Sequence, residues 1–227
     1  MITARFSDIA YAPCIAVAKI SGQPVATVTY FVSVLLSFVA CLFVGQIRST
    51  AFRKIFSTTL GFGLGFYNYG LLFLINVASI IVCYMLIRFN SRVNGANLVT
   101  WWGAIFMISV SFHHHHIAHK SGTLSLDLIF MMNFVKIHMF AVNYENAGKL
   151  DDLSKSINLT PREKLFAEPL RNKVIFIDWI NYFFFVGSSW TGMCHEYKDF
   201  DDYINSKEGF ANIPRQKIFT HAFTRFA

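Results

Sequence analysis

Between Lys54 and Arg88 the chain runs for 33 residues, Ile55 to Ile87, without a charge. In water such a stretch must be buried on every side. In a bilayer it is ordinary, because a hydrocarbon core about 30 Å thick takes ~20 consecutive apolar residues to cross as a helix. The run is too long for one comfortable span and too short for two complete spans with a turn. A glycine cluster, LGFGLGFYNYG from Leu60 to Gly70, interrupts it near its first third. Arg48, Arg53 and Lys54 stand before the run and Arg88 and Arg92 after it, so the preference of basic residues for one membrane face brings both ends to the same side. The pattern predicts a re-entrant element followed by a span, which a bilayer tolerates where protein or water covers the broken backbone.

Composition agrees with a membrane class. Hydrophobic residues make up 54% of the chain and charged residues 15%, a balance outside the range of soluble domains. The net charge of +7 is scattered between apolar runs instead of gathered in one patch, which argues against a nucleic-acid partner. Cysteines stand at 14, 41, 83 and 194 with no C-x-x-C pair, so neither a disulfide framework nor a metal site is expected. The opening MITARFSDIAYAPCIAVAK has no apolar core followed by a small-residue cleavage site, and no cleaved signal peptide is expected.

Four further apolar segments complete the expectation. Val25 to Gly45 has 21 uncharged residues and is the clearest span. Leu98 to Phe112 forms the centre of a span near 95–117 that ends in HHHHIAH; consecutive histidines on a helix point in different directions, so the run reads as a polar interfacial turn and not as a metal site. The span near 124–142 contains Asp127, Lys136 and His138. At 100° per residue Asn133, Lys136 and Asn143 share one face while His138 lies far around the helix. Ionisable groups within spans face a bundle interior or a wet cavity and mark functional pathways; snorkelling or structural pairing is the alternative for Lys136. Asn143 to Lys173 reads as a charged loop, within which Thr160, Pro161 and Glu163 make a capping box that starts a helix. The last segment, near 174–191, carries Asp178 and Asn181, and Asp178 is the expected partner of Lys136. The fold class expected is all-α: a polytopic transmembrane helix bundle with a re-entrant element and interfacial helices, one membrane domain over residues 1–227.

Two blocks then show a resemblance. SSWTGMCHEYKDFDDYIN is similar to the segment of membrane-bound O-acyltransferases in which an apolar helix ends in Gly-Pro, followed by an aromatic or acidic residue and Tyr-x-Asp-Phe; Gly192, Glu196, Tyr197, Asp199 and Phe200 match. Upstream, Leu126, Asp127, Met132, Lys136, Ala141, Asn143 and Gly148 resemble that family's run of Leu-Asp, Met, a membrane Lys and Ala-x-Asn before a Gly. SGQPVATV and the basic loop after it resemble its first helices. The nearest likeness is to the N-terminal half of the lysophospholipid acyltransferase branch, across nearly the whole chain.

The resemblance implies transfer of a fatty acyl group from acyl-CoA, as co-substrate, to a lysophospholipid hydroxyl, by a multi-pass protein of the endoplasmic reticulum membrane with no bound cofactor. It points to Lys136, Asn143, Tyr197 and Asp199 as substrate-binding residues, to apolar helix faces as walls of an acyl tunnel, and to basic loops for the CoA phosphates. The sequence departs from the pattern at Met193, where Pro is expected, and at His195, where an aromatic or apolar residue is usual. The family's later block with Trp-Asn and an apolar-flanked catalytic His is not found, and His221 in KIFTHAFTRF is no substitute. No catalytic residue is therefore assigned, and the chain alone is expected to be inactive. The competing class is a non-catalytic membrane protein such as a transporter or a bundle subunit.

Overall fold

The computed structural model describes residues 2–89, 95–121, 127–150, 158–172, 174–189 and 194–207, and among them there is no β-strand. In chain order the helices are α1 (Ile2–Ser21), α2 (Val25–Val44), α3 (Thr50–Tyr69), α4 (Phe73–Phe89), α5 (Gly95–Ser121), α6 (Asp127–Leu150), α7 (Pro161–Ala167), α8 (Phe176–Phe183), α9 (Val186–Ser189) and α10 (Tyr197–Ile204). The all-α expectation is met. Two described segments, Val25–Val44 and Thr50–Phe89, are long and apolar enough to cross a membrane.

The uncharged run folds as two helices, α3 and α4, joined by a short turn. Its turn falls at the end of the glycine cluster: Gly70 has φ 56, which a residue with a Cβ rarely adopts, and a short 3-10 turn, Gly70–Leu72, leads into α4. Phe73 then folds back onto Phe62 and Phe66, with ring centroids 5.3 and 5.4 Å apart. In a straight helix Phe62 and Phe73 would be about 16 Å apart along the axis. The run was long enough for two helices because the flanking charges were drawn in. Arg53 and Lys54 lie in the first turns of α3 and Arg88 in the last turn of α4.

Arg53 can enter the structure because its guanidinium is fully engaged. It donates to the carbonyl of Ile47 at 2.6 and 3.1 Å, to the carbonyls of Tyr203 and Ile204 at 3.0 and 2.7 Å, and to Ser206 Oγ at 2.7 Å. It is 4% exposed. The carbonyls of Tyr203 and Ile204 are orphan acceptors at the C-terminus of α10, where a cation is favoured.

The buried face of α3 recurs every fourth residue: Arg53, Ser57, Gly61, Gly65 and Tyr69. Its glycines do not break the helix; they let other groups approach it. A Cβ on Gly61 would meet the carbonyl oxygen of Phe184 at 2.0 Å, and one on Gly65 would meet the Phe73 ring at 2.2 Å. This also corrects the last expected span. Residues 174–189 do not form one helix: α8 has 8 residues, about 12 Å of rise, and the chain breaks at Phe184 and Phe185 before the short α9. The backbone freed by the break is satisfied by α3, since Val186 N donates to Ser57 Oγ at 3.2 Å.

α8 packs against both α3 and α4. Asp178 and Asn181 reach Lys54 and Thr58 on α3, while the buried Trp179 donates its indole N–H to the carbonyl of Ile80 on α4 at 3.0 Å. α5 packs along α6, and α1 packs on α2. Two other expected boundaries move. α5 stays helical through the histidine run to Ser121, and α6 continues to Leu150, so Asn143 to Leu150 is helix and not loop. Asn143, Tyr144, Asn146 and Ala147 are buried there. The capping box is present, with Thr160 Oγ1 accepting from Glu163 N and Glu163 accepting from Thr160 N at 2.7 Å. The Thr160 hydroxyl also donates to Glu163 Oε2 at 2.7 Å, and this bond, with the one from Thr160 N, holds the Glu163 carboxyl below its ordinary value. All four cysteines are free thiols.

Gly61 and Gly63 give a paired test. Gly61→Ala drives a Cβ into backbone that cannot swing aside and is expected to destabilise the fold by about 1–3 kcal/mol. Nothing lies within 4 Å of the Gly63 position, so Gly63→Ala should be neutral or add up to ~1 kcal/mol through the better helix former. Thermal unfolding in detergent, followed by helical circular dichroism, separates the two; equal effects would mean that segment 184–186 does not pack on α3.

Candidate functional site

Helix α6 presents a buried stripe at alternating spacings of three and four: Asn133, Lys136, Phe140, Asn143 and Ala147. The polar face read from the sequence is this stripe, and His138 lies exposed beyond it, hydrogen-bonded to Thr100 at 3.0 Å. Each polar member meets a different element. Asn133 donates to Asn76 Oδ1 on α4 at 2.8 Å. Lys136 donates to Ser188 Oγ on α9 at 2.6 Å. Asn143 donates to Glu196 Oε2, just before α10, at 2.7 Å. Phe140, between them, stands edge-on to Trp179 and to Tyr197, with centroids 4.7 and 5.3 Å away.

Lys136 is fully buried. Its ammonium lies 5.6 Å from the centroid of the Tyr182 ring, within the range of a cation–π contact. The expected ion pair with Asp178 is not formed. Asp178 opens α8 beside the basic start of α3, and Lys54 Nζ reaches its Oδ1 at 2.6 Å. Among the described residues no carboxylate lies within ion-pair distance of Lys136. The ammonium is held instead by one hydroxyl and one ring face, an arrangement that depends on α9 and α8 keeping their places.

The second block is also split by the structure. Tyr197 is buried against Phe140 and Tyr182, and burial pushes its phenol above its ordinary value of 10.0. Asp199 is exposed on α10, so it does not pin this turn into the bundle. Lys198 and Asp202, a buried pair one turn apart on α10, do so together with Tyr197. Gly192 and Met193 lie outside the described residues, as does His221. His195 packs edge-on to Tyr182, and its carbonyl accepts from the Tyr182 hydroxyl at 2.8 Å.

Of the four expected substrate-binding residues, Lys136, Asn143 and Tyr197 are thus joined in one buried seam, and Asp199 lies outside it. Ser188, Asn76 and Tyr182 complete the seam and were not singled out from the sequence. Ser188 carried a usable signal, since a small polar residue at the end of an apolar segment is a natural partner for an intramembrane lysine. No group of three or more His, Cys, Asp or Glu able to hold a metal occurs among the described residues.

Beside the seam, between α2, the break at Phe185 and α10, lies a cavity of about 310 Å³. Phe185, His195, Phe200 and Tyr203 supply its rings, and Asp199 and Cys41 also line it. Comparison of the chain with family models, with curated proteins and with solved structures found no match. Function has to be read from these side chains.

Two measurements test the seam. In double-mutant cycles on thermal stability, Lys54→Leu with Asp178→Leu should show coupling, whereas Lys136→Leu with Asp178→Leu should be additive to within about 0.5 kcal/mol; coupling in the second cycle would restore the pairing expected from sequence. The other concerns Glu196. Burial raises its carboxyl above the ordinary 4.5, against the opposing bond from Asn143. A carboxyl raised in the folded state contributes most below its unfolded value, and the contribution is lost as pH rises from about 4.5 through the folded pKa. Glu196→Gln should therefore gain stability relative to the parent between acid and neutral pH, and an unchanged difference across that range would refute the assignment.

Proposed function

We propose that the chain is a multi-pass lipid-handling protein of the endoplasmic reticulum membrane, built like the front half of a lysophospholipid O-acyltransferase, and that it binds acyl-CoA and a lysophospholipid. One observation carries the reading. The two sequence blocks that resemble that family are 53 positions apart at their contact, and they meet through the Asn143–Glu196 hydrogen bond and the Phe140–Tyr197 ring contact. A second supports a bilayer as the surroundings. On α2 the small hydroxyls Thr29, Ser33 and Ser37 face inward while Phe31, Leu35 and Phe43 are more than half exposed. Close packing through small residues with large apolar ones outside suits helices in lipid.

In this reaction class the lysophospholipid hydroxyl attacks the thioester carbonyl, its proton passes to a base, and the C–S bond breaks to release CoA. The seam provides donors and apolar walls around Lys136 and Asn143. The basic start of α3 contributes less to CoA phosphates than the sequence suggested, because Arg53 is engaged by carbonyls and Lys54 by Asp178.

The test is photo-crosslinking in microsomes with a diazirine-bearing lysophospholipid and a diazirine-bearing acyl-CoA. Labelling of peptides from α6 or α10, competed by the unmodified compounds and weakened by Asn143→Leu, is the expected outcome. Labelled acyl-CoA should not be turned over above background, since the His block of that family is not among these residues. No competable labelling would favour a non-catalytic transporter or bundle subunit.

A further inference from the structure

The outer face of α4 is an apolar stripe that ends on an arginine. Leu74, Ile75, Ile81, Val82 and Met85 are each more than a third exposed and recur on one side of the helix. From Leu74 to Met85 the helix rises about 16 Å, close to half of a hydrocarbon core about 30 Å thick. Arg88 stands seven residues after Ile81, two turns on and on the same face, so the stripe leads to a guanidinium. Helix α8 adds a second apolar wall. Phe176 meets Tyr84 with ring centroids 5.1 Å apart, and Phe176 and Ile177 are themselves exposed.

Arg88 lines the crevice between α4 and the approach to α8, together with Tyr84 and Val174. It is exposed and makes no ion pair or hydrogen bond among the described residues. The carboxylates near it are taken: Asp178 is paired with Lys54 at 2.6 Å and Glu168 with Arg171 at 3.1 Å. Arg48 ahead of α3, and Arg162 and Lys164 on α7, are also exposed without an ion pair among the described residues. Asp199, the exposed acid of α10, sits on a helix that packs on α3 and α7. The balance at this end of the bundle is positive and attracts an anion. A guanidinium presents parallel N–H donors that fit a phosphate, and the stripe beside it fits acyl chains. Only a ligand with both parts uses both features. A zwitterionic head group brings an ammonium for which this corner holds no free carboxylate.

We propose that the outer face of α4, where it meets the start of α8, binds an anionic diacyl phospholipid, with the phosphate on Arg88 and the chains along Ile81, Met85 and Phe176. The site rests on the bilayer setting of the proposed function and not on acyl transfer.

The probes are phosphatidylglycerol and phosphatidylcholine with the same oleoyl chains. Each is titrated into the full chain in a non-ionic sugar detergent and read by the rise in unfolding temperature. Phosphatidylglycerol is expected to reach half of its effect at a concentration about tenfold lower, a factor that corresponds to ~1.4 kcal/mol. Arg88→Gln, an exposed change, should remove that preference and leave the response to phosphatidylcholine as it was. Arg48→Gln, the same loss of charge at the same end, should keep the preference to within about twofold. Glycerol phosphate, which has the phosphate without the chains, should not raise the unfolding temperature at the same concentrations. A phosphatidylglycerol with a diazirine in one chain should label peptides of α4 and α8. Equal half-effect concentrations for the two lipids, equal losses in the two arginine variants, a full effect of glycerol phosphate or labelling confined to other helices would each overturn the proposal. A dimer of the parent chain that Arg88→Gln dissociates would overturn it too, and would assign the face to a second copy. None of these readings uses a lysophospholipid or acyl-CoA, so failure here and failure of the proposed function are told apart.

Discussion

The structure depends on one face of one helix. Along α3 the buried residues fall at every fourth position, Arg53, Ser57, Gly61, Gly65 and Tyr69, and the first three receive groups from far along the chain. Arg53 holds the end of α10, Ser57 the freed N–H of Val186, Gly61 the carbonyl of Phe184 and Gly65 the ring of Phe73. Backbone can approach backbone this closely only where no Cβ intervenes, and a free amide can be left there only where a hydroxyl waits for it. The neighbouring stripe of α3 adds Lys54 and Thr58, which fix α8 through Asp178 and Asn181. The break after α8 is therefore a consequence of α3, not a defect in the segment itself.

That break positions both sites. Because the chain turns at Phe184 and Phe185, Ser188 comes within reach of Lys136 and Phe185 lines the cavity beside α10. A continuous helix over 174–191 would have carried Ser188 past Lys136 and left the ammonium without its hydroxyl. The seam and the cavity adjoin where Tyr182 of the seam meets His195 of the cavity lining, with the Tyr182 hydroxyl donating to the His195 carbonyl.

Much of the helical content was legible in the sequence because it is local. α2 fills its apolar run to within a residue, the capping box starts α7 where Thr160 and Glu163 require, and Asn133, Lys136 and Asn143 share a face because helical periodicity demands it. The errors have one physical origin. Charges do not mark helix ends and loops here: Arg53, Lys54 and the polar stretch after Asn143 lie inside helices, where distant partners satisfy them. Of the glycines in the Leu60–Gly70 cluster only Gly70 ends the helix, while Gly61 and Gly65 serve close approach.

What the sequence by itself determined is the set of groups that cannot remain in an apolar setting unaided: an all-helical chain with apolar spans, an inward polar face on α6 and an aromatic, acidic motif after the last apolar segment. Hydrophobic periodicity and hydrogen-bond need are properties of a segment and can be read from it. The tertiary structure alone decided who satisfies whom. Lys136 takes Ser188 and a ring face, Asp178 takes Lys54, Asn143 takes Glu196, and Asp199 is left at the mouth of a cavity. Partner choice depends on where a chain of 227 residues bends. The bend at Gly70 is local, but the one at Phe184 rests on contacts between residues more than a hundred positions apart, such as Gly61 with Phe184, for which no local pattern exists.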